Sequence, residues 1–371
     1  MIIRVDSFQE ACKNILTAVD SNALSIVTET LQLKTIGDKL HMSVTNREYY
    51  AEVKFDLKVP EEFHATVNAN LFLKLIAQIT TETIELTVVD NSLVIKGNGT
   101  YKLPLIFEGD KLLELPVIEI ANPTVEMNVS SDVLLSILQY NSKEIGKGTI
   151  ARPVQNLYYV DEKGCITFTT GACVNNFTLE KPVAILLNNR VVKLFKLFKG
   201  GDVAFTLGYD AISDDTIQTK VKFENKDICI TAILSCDDSL LKSVPVDAIR
   251  GRANSVYNYT VNLNKEALLQ TINRLLLFTD GKVVAKPYST FEFKQDGVVI
   301  WDTLKENSET ISYVNSGISG DNYTAVLDLV DLKTTVETCP ESYITFNFGN
   351  NTAFVLVRGN IYNVVPEVKV G

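Results

Sequence analysis

Arg190, Lys193, Lys196 and Lys199 stand within residues 190–199 with no carboxylate among them. On a helix of 100° per residue these cations spread over one side, while Val191, Leu194, Phe195, Leu197 and Phe198 gather on the other, with Val192 at the border. Asn188 or Asn189 can cap its start, and Gly200-Gly201 stops it where left-handed geometry is needed. One face must bury, and the other offers positive charge to anionic oxygens. That chemistry suits a phosphate backbone, held by counterion release and without any reading of bases. The chain as a whole is acidic, with 35 Lys and Arg against 45 Asp and Glu and a net charge of −10. A solvated helix face kept only for solubility is the plainer alternative.

Other reactive residues are placed unfavourably for catalysis. The cysteines at 12, 165, 173, 229, 236 and 339 form no Cys-x-x-Cys, and His41 and His64 are the only histidines. They are expected as reduced core or surface thiols, neither a metal site nor a disulfide framework. No Gly-x-Gly-x-x-Gly follows a strand, and Gly146-Lys147-Gly148-Thr149 lacks the upstream glycine and the hydroxyl residue of a phosphate loop. The pairs Asp214-Asp215 and Asp237-Asp238 read as solvated turns. No catalytic residue, metal or cofactor is therefore expected, and an enzyme is the least supported class.

The elements that position the basic face repeat. At 371 residues, 46% apolar and 22% charged, the chain is globular and long enough for two or three domains. No apolar run approaches the roughly 20 residues needed to cross a bilayer. The opening Met1-Ile2-Ile3-Arg4-Val5-Asp6 turns acidic too soon for an export signal, so a cytoplasmic location is expected. Three apolar strands lead through capping residues into amphipathic helices at 8–19 (capped by Asp6-Ser7), 133–140 and 265–278. About 60 residues on, second helices are expected at 70–79, 189–199 and 329–338, after caps at Asn68 or Asn70, Asn188 and Asp328. Alternating strands fill the rest, with Gly349-Asn350-Asn351 as a hairpin turn. The pattern predicts an α+β fold of three repeated domains, 1–122, 123–252 and 253–371, each with two helices packed on antiparallel sheets.

Basic residues recur on the polar faces of these helices. Beside the four cations already named stand Lys13, Lys74, Lys143, Lys265, Arg274 and Lys333, while Lys147 and Arg152 lie in a glycine-rich loop. A segregated basic surface on an acidic protein fits a phosphate backbone bound by counterion release, without any base-reading motif.

In length and threefold repeat the whole chain resembles the bacterial sliding clamp family, the beta subunit of DNA polymerase III. The resemblance is carried by Ile3-Arg4-Val5, by the run from Leu40 to Asn46, by Ala151-Arg152-Pro153-Val154 and by Phe168-Thr169-Thr170-Gly171. It is also carried by the run from Leu240 to Pro245 and by the ending Tyr362-Asn363-Val364-Val365-Pro366. It implies a processivity factor of DNA replication: a head-to-tail homodimer, each chain half of a six-domain ring around DNA, tethering polymerase and engaging a clamp loader and other clamp-binding proteins. It implies no reaction of its own. The partner-peptide pocket would use Gln155, Thr169, Gly171, Ala172, Cys173 and Val174, with Asp238, Lys242 and Ser243 from the joint. Asn363, Val364, Val365, Pro366 and Val368 would complete it. The family usually carries Asp-Gly-His-Arg-Leu where Thr170-Gly171-Ala172-Cys173-Val174 stands, and a basic loop where Asp20-Ser21-Asn22 stands. Such departures mark a diverged clamp, fitting a bacterium, a bacteriophage or a mobile element. The other function implied by this scaffold is an interaction module that no longer encircles DNA.

Overall fold

The structure, a computed structural model, describes residues 1–20, 25–146, 153–213, 216–234, 238–278, 287–315, 317–349 and 353–368. One order of elements runs through it three times. The first round comprises β1 (Ile2–Arg4), α1 (Val5–Leu16), α2 (Ile26–Glu29), β2 (Thr30–Ile36), β3 (Lys39–Thr45) and β4 (Tyr49–Asp56). It continues with β5 (His64–Asn68), α3 (Ala69–Ala77), β6 (Thr83–Val89), β7 (Ser92–Lys96) and β8 (Thr100–Pro104), then the small hairpin β9 (Phe107–Glu108) and β10 (Lys111–Leu112). The second comprises β11 (Asn122–Ser130), α4 (Ser131–Tyr140), β12 (Leu157–Asp161), β13 (Gly164–Phe168) and β14 (Ala172–Asn176). After these come β15 (Ala184–Asn188), α5 (Asn189–Leu194), β16 (Asp202–Ser213), β17 (Thr216–Glu224) and β18 (Ile228–Ile233). Two short helices, α6 (Asp238–Lys242) and α7 (Val246–Ala253), lead into the third. That round comprises β19 (Tyr259–Asn264), α8 (Lys265–Leu276), β20 (Tyr288–Phe293), β21 (Gly297–Trp301) and β22 (Ser308–Ser312). It closes with β23 (Tyr323–Asp328), α9 (Leu329–Glu337), β24 (Tyr343–Phe348), β25 (Ala353–Arg358) and β26 (Ile361–Pro366).

Strand-to-helix junctions are set by short polar side chains, which satisfy amide groups that the first helical turn leaves open. Asn68 accepts from the Leu71 amide at 3.0 Å, Asn188 from Val191 at 2.9 Å and Asn264 from Ala267 at 3.0 Å. Asp328 accepts from Val330 and Asp331, at 2.9 and 3.3 Å. The first helix departs from expectation. It begins three residues early, at Val5, because Arg4 already takes the extended N-cap geometry, so Asp6 and Ser7 lie inside its first turn and cap nothing. The basic helix is also shorter than its periodicity suggests. It is α-helical only over Asn189–Leu194 and tightens to a 3-10 turn at Phe195–Leu197. Val192 is buried and not at a border, so apolar residues occupy more than one face. The Phe195 ring meets Phe223 edge-on at 4.9 Å. β-branched and aromatic residues are weak helix formers, and here their packing decides the backbone. Gly200 and Gly201 have φ of 82° and 79°, the left-handed geometry expected of them.

Packing divides the chain into two compact units, Met1–Leu134 with Lys193–Ser235, and Leu135–Val192 with Cys236–Gly371. The first holds a four-stranded sheet, β1-β6-β7-β8, and an eight-stranded one, β11-β16-β17-β18-β4-β3-β2-β5. The second holds an eight-stranded sheet, β15-β12-β13-β14-β26-β25-β24-β19, and a four-stranded one, β22-β21-β20-β23. All pairings are antiparallel. Each eight-stranded sheet therefore joins strands from two successive rounds, at β4–β18 and at β14–β26.

In the first unit α1 packs on α3. Phe8 sits edge-on to Phe55 and Phe72, and the Gln9 amide donates to the Ile76 and Ile79 carbonyls, both at 2.8 Å. In the second, Leu268, Ile272 and Leu332 close over Phe291, Phe293, Phe346 and Phe348. No helix among the described residues is long and apolar enough to cross a membrane. The expected hairpin at Asn350-Asn351, the turn residues Asp214, Asp215 and Asp237, the loop residues Ser21 and Asn22, and Cys236 lie outside the described residues.

Asn264→Ala removes the side-chain acceptor that caps the start of α8 and is expected to cost about 1 kcal/mol of stability. Denaturant unfolding of the variant checks this; a midpoint equal to the parent's would show that the cap contributes nothing.

Candidate nucleic-acid interface and partner groove

The fold brings part of the basic set together. α1 and the tight turn Phe195–Leu197 flank a groove of about 550 Å³, with Lys13, Lys196 and Lys199 on its walls beside Gln9, Asn14 and Thr17. Buried Phe8, Cys12 and Ile15 on one side and Phe195, Leu197 and Phe198 on the other fix the two walls, so the lysines point outward by default. Lys199 lies 3.1 Å from Glu10, an exposed pair of little strength. Lys13, Lys193 and Lys196 are exposed and meet no carboxylate among the described residues. Lys74, Lys143 and Arg190 are exposed as well.

Three other expected cations are engaged by neighbours as well. Arg274 grips Glu309 with two nitrogens, at 2.6 and 2.5 Å, and holds that carboxyl below the usual carboxylate range. Lys333 lies 3.8 Å from Glu337 one turn on, and Lys265 donates to the Cys339 carbonyl at 2.7 Å. Lys147 and Arg152 lie outside the described residues.

A second groove, of about 470 Å³, lies in the second unit. Gln155, Thr169, Gly171 and Ser243 line it as expected, together with Pro153, Val154, Phe168, Thr170, Ser239, Leu240 and Pro245, which the pocket residues drawn from the resemblance omit. Val154 is the apolar residue between Pro153 and two polar residues of a short turn, and Leu240 with Leu241 makes an apolar pair in the short α6; those were the available signals. Ala172 and Val174 are in the cluster beneath it with Phe168, Val244, Ile249 and Tyr362, and Val364 packs against that cluster. Other expected members sit elsewhere. Val365 belongs to the core around Phe293, Cys173 and Asn363 are buried beside Arg358, and the Val368 amide donates to Val326. Lys242 and Pro366 are exposed; the side chain of Asp238 lies outside the described residues. The Gln155 amide donates to the Thr169 carbonyl at 2.7 Å, and Thr170 is hydrogen-bonded to Asp331. Gly171 is required by close approach, since a Cβ there would collide with the Val364 carbonyl and reach Pro366 Cδ at 3.0 Å.

Solved structures share this topology from end to end. The beta subunit of DNA polymerase from Streptococcus pyogenes superposes with a TM-score of 0.82 over 100% of this chain and 99% of its own, at 13% identity. The chain has the fold of the bacterial sliding clamp. The Helicobacter pylori beta clamp bound to a DNA ligase peptide also superposes, with a TM-score of 0.75 at 16% identity over 100% of this chain and 99% of that clamp. By sequence, the chain is 27% identical to the beta sliding clamp of Mycoplasmopsis pulmonis over 144 residues, 38% of this chain. That match spans 35% of the relative's length. No family model matches the chain.

Within this clamp fold α7, whose Ile249 packs in the cluster beneath the groove, is pinned to β12. Arg250 donates to both oxygens of Asp161, each at 2.6 Å. Burial alone would raise the Asp161 carboxyl, but the Arg250 fork and the Lys163 amide outweigh it and hold the group below its ordinary value. A carboxylate depressed in the folded state stabilises above its unfolded pKa of about 3.9, and this contribution is lost as pH falls through the folded value.

Asp161→Asn is therefore expected to lower stability at neutral pH and to flatten its loss below about pH 4; thermal melts across the acid range read both, and parallel curves for parent and variant would refute it. Gly171→Ala is expected to cost about 1–3 kcal/mol by opening the end of the β14–β26 pairing. Amide exchange at 172–175 should rise in that variant, and unchanged protection would disprove the steric account.

Proposed function

We propose that the chain is a diverged sliding clamp, a non-catalytic processivity factor that encircles duplex DNA as a head-to-tail homodimer. The observation that carries this is topological. In both eight-stranded sheets the third strand after one round's first helix pairs with the last strand of the next round, the small β9–β10 hairpin being left out of the count. β4 meets β18, and β14 meets β26. The same rule leaves β22 seeking a last strand and β8 seeking a third strand, and each is the outer edge of its four-stranded sheet. Pairing β22 of one copy with β8 of a second would extend the rule, giving six domains and covering strand edges that otherwise invite aggregation. The domains would be 1–122, 123–252 and 253–371.

In such a ring the basic helix faces would meet the duplex. Lys13, Lys193, Lys196 and Lys199 would hold it by non-specific phosphate contact, with Lys74, Lys143, Lys147, Arg152, Arg190, Arg274 and Lys333 adding to the field. The acidic balance of the chain would disfavour DNA elsewhere. The second groove would take a short peptide segment of partner proteins, DNA polymerase, clamp loader and other clamp-binding proteins; the Helicobacter pylori clamp of the same fold is bound to a DNA ligase peptide. An interaction module that no longer encircles DNA is the second reading, favoured by the carboxylates that engage Lys199, Arg274 and Lys333.

Light scattering together with retention on nicked circular DNA separates the two. A dimer that stays on circles and runs off after linearisation is the expected outcome, and a monomer in all conditions with no retention sinks the ring. Replacing Lys13, Lys193 and Lys196 with Glu should abolish retention while the dimer persists; unaffected function in that variant would favour the module. Association with short linear duplexes whose ends are free should fall steeply with salt and be indifferent to sequence.

A further inference from the structure

The largest fully buried side chain in the protein is an arginine. Arg358, at the end of β25, donates through Nη1 to the Thr335 carbonyl at 2.9 Å and to the Thr338 hydroxyl. Its Nη2 donates to Asn363 and lies 3.6 Å from Oε1 of Glu144, a carboxylate only 2% exposed. Both partners lead to the second groove. Two residues beyond Glu144, the Gly146 amide donates to the carbonyl of the groove residue Phe168 at 2.6 Å. A Cβ on Gly146 would lie 2.9 Å from that oxygen, so this backbone is laid tightly against the groove. Asn363 faces Cys173 across the β14–β26 pairing, beside Ala172 and Val364.

We propose that Arg358 is a positioning residue for the partner groove, holding segment 144–146 through Glu144 and the β14–β26 register through Asn363. This rests on the reading of that groove as a peptide site. Desolvating an arginine and a glutamate costs as much as their attraction returns, and apolar residues of equal volume stabilise a core as well or better. Apolar residues would supply neither the charge that faces Glu144 nor the hydrogen bonds to Thr335, Thr338 and Asn363. The β13–β14 hairpin fixes Phe168 and Gly171 relative to each other, and Arg358 ties together the two segments that flank that hairpin, 144–146 and β26.

The test uses the full chain. The pair Arg358→Met with Glu144→Gln removes both charges at similar volume, and Arg358→Lys keeps the charge without the fork. Leu332→Ala, a buried truncation in the same unit, is the control for lost stability alone. Deuterium uptake at 168–176 and 361–366 is expected to rise about tenfold in both Arg358 variants beyond the control. Affinity for a fluorescently labelled DNA ligase peptide should drop by a similar factor, with the control's affinity unchanged. Uptake and affinity equal to the control's, in either folded Arg358 variant, overturn the proposal. If the parent protein does not bind the peptide, the peptide-site reading fails, and the uptake comparison still decides whether Arg358 positions the groove backbone.

Discussion

Antiparallel backbone pairing across the joints between rounds is the constraint on which the rest depends. At β4–β18 and β14–β26 the last strand of one round supplies the hydrogen bonds that another round's sheet lacks. Without that pairing β4, β18, β14 and β26 would each present an open backbone edge. The side chains at the two joints differ in chemistry. At the first, exposed and half-buried ion pairs help, Lys54 to Glu224 at 2.6 Å and Lys39 to Asp227 at 3.4 Å. At the second, the Arg358 cluster is sealed inside.

This difference follows what each joint borders. Around this joint Glu52 of β4, His41 of β3 and Lys222 and Glu224 of β17 line an open hollow, where surface pairs suffice and contribute modestly. The second joint borders the partner groove. A short rigid wall there needs partners fixed in direction as well as distance, which hydrogen-bonded charges provide and dispersion contacts do not.

Much of the architecture was legible in the residues. Period-two strands, Asn and Asp before helices, and the paired glycines after 199 are local signals, and local backbone energetics honours them. The misreadings were also physical. Periodicity continued the basic helix to Lys199, whereas packing of Phe195 and Phe198 tightened its last turn; in α1 the strand itself ran into the helix, leaving Asp6-Ser7 with nothing to cap. At the sites, residue type could nominate Lys13, Lys196 and Lys199 but could not place them on one groove. It also could not show that Arg274 faces Glu309, because these residues are far apart in the chain and close only after two elements pack.

By itself, the sequence determined the α+β class, the threefold order of elements, the caps and the segregation of charge onto helix faces, since all of these depend on neighbours within a turn or a strand. Tertiary structure alone decided which strands join successive rounds and which lysines gather between α1 and the turn after α5. It also decided that Cys173 and Asn363 turn inward to an arginine and not into the groove. Those outcomes depend on which faces meet, and the pairing of distant strands is chosen by the fit of whole surfaces, which no local pattern encodes.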